Sequence, residues 1–137
     1  MFQFINNSQC RDSQTTHFVL GDNHTGVAIA ERLQMDGQSV TMVNETDTSD
    51  TVAVIQGSPT DIELLIESGL GTAKSVIIGT QSDARNFLIA QLVRAHFDVP
   101  QITVLVYDPK RLSAVAEAGH EPLCVTTVVS ETVVEHV

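Results

Sequence analysis

The residues of this 137-residue chain whose types and spacing best fit a chemical task are Gly21, Asp22, Asn23, His24, Thr25 and Gly26. They form a GxGxxG frame with Asn23 in the place of the second glycine, between an apolar run at 17–20 and a helix-period segment. In such a frame the first glycine makes a tight turn, the second lets backbone approach a pyrophosphate, and the third lets helix pack on strand. Gly21 and Gly26 keep the first and third tasks. Asn23 tolerates left-handed backbone, but its side chain takes space that a phosphate would use. A helix starting near His24 turns free N–H groups and about half a positive charge toward an anion. His24 adds a possible donor, and Asp22 opposes the attraction.

Other polar residues fall where the following strands should end. The frame expects an acid about 20 residues on, to accept from ribose hydroxyls. That position holds Asn44, an acceptor without charge. Glu45 and Asp47 follow with no arginine beside them in the sequence, so a 2′-phosphate is repelled and NADP is the least favoured dinucleotide. Gly57, Ser58, Pro59, Thr60 and Asp61 follow the third run, and Thr80, Gln81, Ser82 and Asp83 the fourth. Ser58 can meet a base edge, and Thr80 and Ser82 can donate to ribose or phosphate. Thr60 and Ser82 also read as helix N-caps, whose hydroxyls satisfy backbone N–H groups.

Six apolar runs must position these residues: HFVL at 17–20, SVTMV at 39–43, VAVI at 52–55, SVIIG at 75–79, ITVLVY at 102–107 and CVTTVV at 124–129. Continuous apolar runs imply strands covered on both faces, as in a parallel sheet between helices. The spacing i, i+3, i+4, i+7 predicts helical stripes at Gly26, Ile29, Ala30 and Leu33, at Ala84, Phe87, Leu88 and Gln91, and at Leu112, Val115, Ala116 and Gly119. A shorter helix is expected over 61–68. Gly37, Gly69 and Gly119 stand where helices should stop. The segment from Ser82 to about His96 is apolar nearly all round, which fits a buried helix or half of a subunit contact. Residues 1–14 read as a leader, 15–137 as the domain, and SETVVEHV at 130–137 as the opening of a helix.

Composition narrows the function. One compact domain fits the length, which excludes a two-domain oxidoreductase. The hydrophobic fraction of 42% and charged fraction of 18% describe a soluble globule rather than a disordered or membrane-spanning chain. Seventeen acids against seven bases give a formal charge of −10, which opposes nucleic acid and anionic lipid. With only Lys74 and Lys110 as lysines, the acidity is that of a halophile's surface, whose stability should rise with salt. Cys10 and Cys124 match no metal spacing and read as free thiols; Met1–Asn7 has no secretory pattern, so a cytoplasmic location is expected. The sequence contains neither a phosphate-binding GK[ST] loop nor a nucleophile elbow, so an enzyme is not expected.

Four segments in order resemble the TrkA-N, or RCK N-terminal, domains that regulate potassium channels and transporters: HFVLGDNHTG, QGSPTD, SVIIGTQSDARNFLIA and VYDPKRLSAVAEAG. The resemblance spans about His17 to Val129. It implies an α/β fold, a Rossmann-like doubly wound sheet of six parallel strands in the order 3-2-1-4-5-6 with helices on both faces. It further implies a homodimer that binds NAD, NADH or an adenine nucleotide (ATP, ADP or AMP) and acts on a membrane potassium channel or transporter. Carried over by position, the ligand meets Gly21, Asn23, His24 and Thr25 at its phosphates, Asn44 at the ribose, Ser58 at the base, and Thr80 with Asn86 along the opposite lip. The chain departs from the family at Asn23, Asn44 and Ser58, and at Leu105 and Tyr107, where arginine is frequent. Arg85 is the cation in position to replace that charge. The alternative is a Rossmann-like scaffold that has lost its ligand and serves dimerisation or docking.

Overall fold

Five of the six apolar runs form the strands expected of them, within a residue or two. In the computed structural model, which describes residues 16–21, 24–46 and 51–137, the strands are β1 (His17–Leu20), β2 (Val40–Asn44), β3 (Ala53–Gln56), β4 (Ser75–Ile78), β5 (Gln101–Val106) and β6 (Glu121–Cys124). They make one sheet in the order β3-β2-β1-β4-β5-β6, and every neighbouring pair is parallel. This is the 3-2-1-4-5-6 order of a Rossmann-like sheet. The expected leader, Cys10, Asp22, Asn23 and Asp47 lie outside the described residues.

Alternation along each strand sends side chains to two cores. Phe18, Leu20, Val76, Ile78, Val104 and Val106 pack on one face with Leu65 of α2 (Ile62–Ser68), Ile89, Ala90 and Val93 of α3 (Asp83–His96), and Val115 of α4 (Leu112–Glu117). Val19, Val40 and Met42 pack on the other with Ala30 of α1 (His24–Met35), bordered by Ile29 and Leu33. Helices therefore cover both faces, and the continuous apolar runs are explained. Gly37, Gly69 and Gly119 take positive φ of 84°, 87° and 92° just beyond α1, α2 and α4. This is the left-handed exit that glycine permits at least cost.

Three expectations are corrected. The sixth strand is not CVTTVV at 124–129 but Glu121–Cys124, and Val125–Glu135 is a helix, α5. The β-branched run invites a strand by local preference, yet β5 ends at Val106, which pairs with Cys124, so no ladder remains for later residues. Val125, Val128, Val129 and Val133 in fact keep helical spacing. Secondly, α2 is capped by Asp61 rather than Thr60: the Leu64 N–H donates to Asp61 Oδ1 at 3.3 Å. Lastly, α3 buries Asn86, Ile89, Ala90 and Val93 instead of Ala84, Phe87, Leu88 and Gln91. A polar residue heads the true stripe, which hid it from an apolar count.

Candidate functional site

The carboxyl edge of the sheet gathers the polar residues singled out in the sequence. Order reverses between β1 and β4, and in open α/β sheets a ligand crevice forms there. Gly21 leaves β1 with φ of 145°, its N–H donating to Val43 O at 3.2 Å, while the Gly79 N–H beyond β4 donates to Leu20 O at 2.9 Å. A Cβ on Gly21 would stand 2.5 Å from the Gly79 carbonyl oxygen, so only glycine lets the two strand ends approach so closely. His24 and Thr25 open α1 and are exposed; Gly26 is buried against the sheet.

Asn44 ends β2 and is fully buried. Its carbonyl accepts from the Gly57 N–H at 2.7 Å, which places Ser58 beside the same edge. Its side chain is different, because among the described residues neither Oδ1 nor Nδ2 has a hydrogen-bond partner. A buried amide atom left unpaired costs about 1–3 kcal/mol. Such an amide is able to accept from one hydroxyl and donate to another.

Across the crevice, Thr80 and Asn86 are buried and bound to each other. Asn86 Oδ1 accepts from the Thr80 N–H at 2.9 Å and the Thr80 hydroxyl at 2.5 Å. Asn86 Nδ2 donates to Thr80 O at 3.1 Å and Leu105 O at 2.9 Å. This fills the four hydrogen-bonding positions of a carboxamide and ties the loop after β4 to β5. Ser58 is half-buried, with its hydroxyl 2.7 Å from that of Thr60 and accepting the Thr60 N–H at 3.2 Å. Ser82 caps α3 by accepting the Arg85 N–H at 3.2 Å, the capping role open to it from the sequence. The edge thus unites Gly21, His24, Thr25, Gly26, Asn44, Ser58, Thr80 and Asn86, but the side chains of Thr80 and Asn86 are already engaged within the fold.

Two features of the edge had no signal in the sequence. Arg85 reaches from the first turn of α3 to Glu45, just after β2, with Nη2 2.9 Å from Oε1. The pair joins residues 40 apart, so an arginine does stand near the ribose end even though none adjoins it in sequence. Asp83 accepts the N–H groups of Tyr107 at 2.8 Å and Asp108 at 3.0 Å, fixing the turn after β5. That turn and the start of α3 border an open depression of about 410 Å³ lined by Gln81, Ser82, Tyr107 and Arg111 among others. His120 lies at the opposite, amino edge of the sheet, where burial first and the nearby Arg94 charge second lower its pKa from 6.5. Among the described residues no group of three or more His, Cys, Asp and Glu side chains is arranged to hold a metal, and no helix is long and apolar enough to cross a membrane.

The TrkA-N domain model matches residues 17–131, from the first residue of β1 into α5. The chain belongs to the TrkA-N family. This TrkA-N domain is 28% identical over 108 residues to a Trk system potassium uptake protein TrkA homolog of Methanothermobacter thermautotrophicus, covering 74% of the chain and 50% of that protein. It is 24% identical over 108 residues to Trk system potassium uptake protein TrkA of Streptomyces coelicolor, covering 74% and 48%. The chain therefore spans about half the length of the curated relatives it matches. Among solved structures, the NAD(P)-binding domain of an exopolyphosphatase-related protein from Archaeoglobus fulgidus superposes with a TM-score of 0.81 at 22% identity, covering 90% of this chain and 97% of that one. The Kef C-terminal domain of Shewanella denitrificans in its AMP-bound form gives 0.75 at 14% identity, covering 85% and 75%. The GsuK channel bound to NAD gives 0.68 at 22% identity, covering 85% of this chain and 23% of the channel. At these identities the likeness establishes the fold.

Proposed function

We propose that this TrkA-N domain is a cytoplasmic, ligand-sensing regulatory module that binds NAD(H) or an adenine nucleotide and biases potassium transport through a membrane channel or transporter. The observation that carries the reading is the Asn44 side chain, buried at the carboxyl edge with both amide atoms unpartnered among the described residues. A ribose diol supplies one donor and one acceptor to match, once the crevice opens to uncover this amide, whose atoms are closed to solvent. Gly21, His24 and Thr25 stand at the start of α1, where a phosphate gains from free N–H groups and the helix dipole. Glu45 stands at the ribose end with Arg85 paired to it, so this contact presents no net repulsion to a 2′-phosphate and does not by itself separate NADP from NAD. The role is regulatory rather than catalytic, because hydride transfer needs a second surface to hold substrate. In a homodimer, with half-exposed Leu88 of α3 on a subunit contact, a nucleotide that favours one relative orientation of the subunits would supply the bias.

The test is calorimetry and thermal melting with NADH, NAD, ATP, ADP and AMP in molar KCl, on the wild type and on Asn44→Leu. Wild type should bind at least one of the five and melt higher with it. Asn44→Leu, which removes the orphaned amide at similar volume, should melt higher without ligand, by about 1–3 kcal/mol of stability, and lose the ligand response. Absence of heat and of any melting shift with all five ligands would favour the scaffold that has lost its ligand.

A further inference from the structure

We infer that Arg85 is the ligand's phosphate-binding side chain and that Glu45 is an internal competitor holding it across the crevice until a phosphate takes it over. The inference rests on the nucleotide reading above and adds the residues that would read the ligand's charge. Glu45 follows β2 and Arg85 begins α3 after β4, with β1 between those two strands. Neighbouring strands lie about 4.8 Å apart, so the pair spans roughly 10 Å over the end of β1. That end is Gly21 and the start of α1, where the phosphates of a nucleotide whose ribose met Asn44 would lie. The bridge therefore crosses the path of the ligand and has to open for it.

The electrostatics favour the exchange. The side chains of Arg85 and Glu45 are 38% and 51% exposed, and such pairs are held weakly because water and salt screen them. A diphosphate carries more charge than one carboxylate and offers oxygens that suit the guanidinium fork. Arg85 needs no new backbone conformation to make the exchange, since its N–H is fixed to Ser82 and only its side chain must turn. Release of Glu45 then leaves a negative charge at the β2 lip, a change at the surface that occurs only with phosphorylated ligands.

Adenosine, AMP and ADP, titrated calorimetrically at one fixed KCl concentration into wild type, Glu45→Gln and Arg85→Gln, separate the possibilities. Melting curves confirm that the two surface variants are folded. Glu45→Gln should bind ADP about threefold more tightly, Arg85→Gln about tenfold more weakly, and adenosine should bind all three proteins alike. A fourth protein carrying both Glu45→Gln and Arg85→Gln, titrated in the same way, should match Arg85→Gln, because Glu45 acts only through Arg85. Unchanged or weaker ADP binding by Glu45→Gln, or equal losses of adenosine and ADP in Arg85→Gln, would overturn the inference while the nucleotide site stands. Failure of adenosine, AMP and ADP to bind any of the proteins would overturn the inference, and the nucleotide reading falls with it only if NAD, NADH and ATP also fail to bind wild type.

Discussion

Replacing Asn86 by leucine should cost this domain a large part of its stability, although the residue sits where the sequence suggests a ligand contact. Its carboxamide makes four hydrogen bonds, to the Thr80 N–H, hydroxyl and carbonyl and to the Leu105 carbonyl. Leucine fills a similar volume but leaves the Thr80 N–H, Thr80 O and Leu105 O without their partner at a position with no solvent exposure. The Thr80 hydroxyl retains Ser82, whose N–H donates to it at 3.2 Å. Three orphaned backbone groups at about 1–1.5 kcal/mol each give an expected loss of about 3–5 kcal/mol. Against a total of about 5–15 kcal/mol for a domain, that is enough to halve the stability of a modest one. Urea unfolding in molar KCl, followed by circular dichroism, measures it directly. A loss below about 1 kcal/mol would refute the structural role. Wild-type stability together with lost nucleotide binding would return Asn86 to the ligand contacts.

Gly21→Ala should lose about 3 kcal/mol or more, from backbone strain at φ of 145° and the 2.5 Å approach to Gly79 O, and a thermal midpoint within a degree or so of wild type would contradict this. His120 has a folded-state pKa below 6.5, so as pH falls the unfolded chain takes up the proton first. Its stability is then full above about 6.5 and declines as pH falls through that value toward the folded pKa. Urea midpoints of wild type and His120→Phe between about pH 8 and about pH 5 should diverge in that sense, whereas parallel curves would show that the imidazole is not held neutral. The formal charge of −10 predicts an unfolding midpoint that rises from dilute to molar KCl, where the Debye length shrinks to about 3 Å; a flat or falling midpoint would remove the halophile reading.

The sheet was legible because burial on both faces leaves its mark on the inner strands β1, β2, β4 and β5. Val19, Met42 and Ile78 must be apolar wherever they sit, and glycine at positions 37, 69 and 119 marks chain exits that other residues make at a cost. The errors fell where local preference and tertiary context disagree. The valines and threonines after Cys124 favour a strand locally, yet with β5 ending at Val106 they form a helix. Asn86 reads as polar and therefore as a surface or ligand residue, until the fold supplies two carbonyls and a hydroxyl to its amide.

The candidate site divides in the same way. The sequence by itself determined the glycine turn and the placement of Asn44, Ser58 and Thr80 at strand ends, because these follow from spacing along the chain, whereas the strand order was implied only by the family resemblance. Only the tertiary structure decided that Asn44 is a buried amide without a partner among the described residues while Asn86 is fully bonded, and that Arg85 meets Glu45 across β1. Spacing along a chain specifies which edge a residue reaches. The partners of its polar atoms come from strands and helices tens of residues away, and those partners decide whether an amide or a guanidinium is left to meet a ligand.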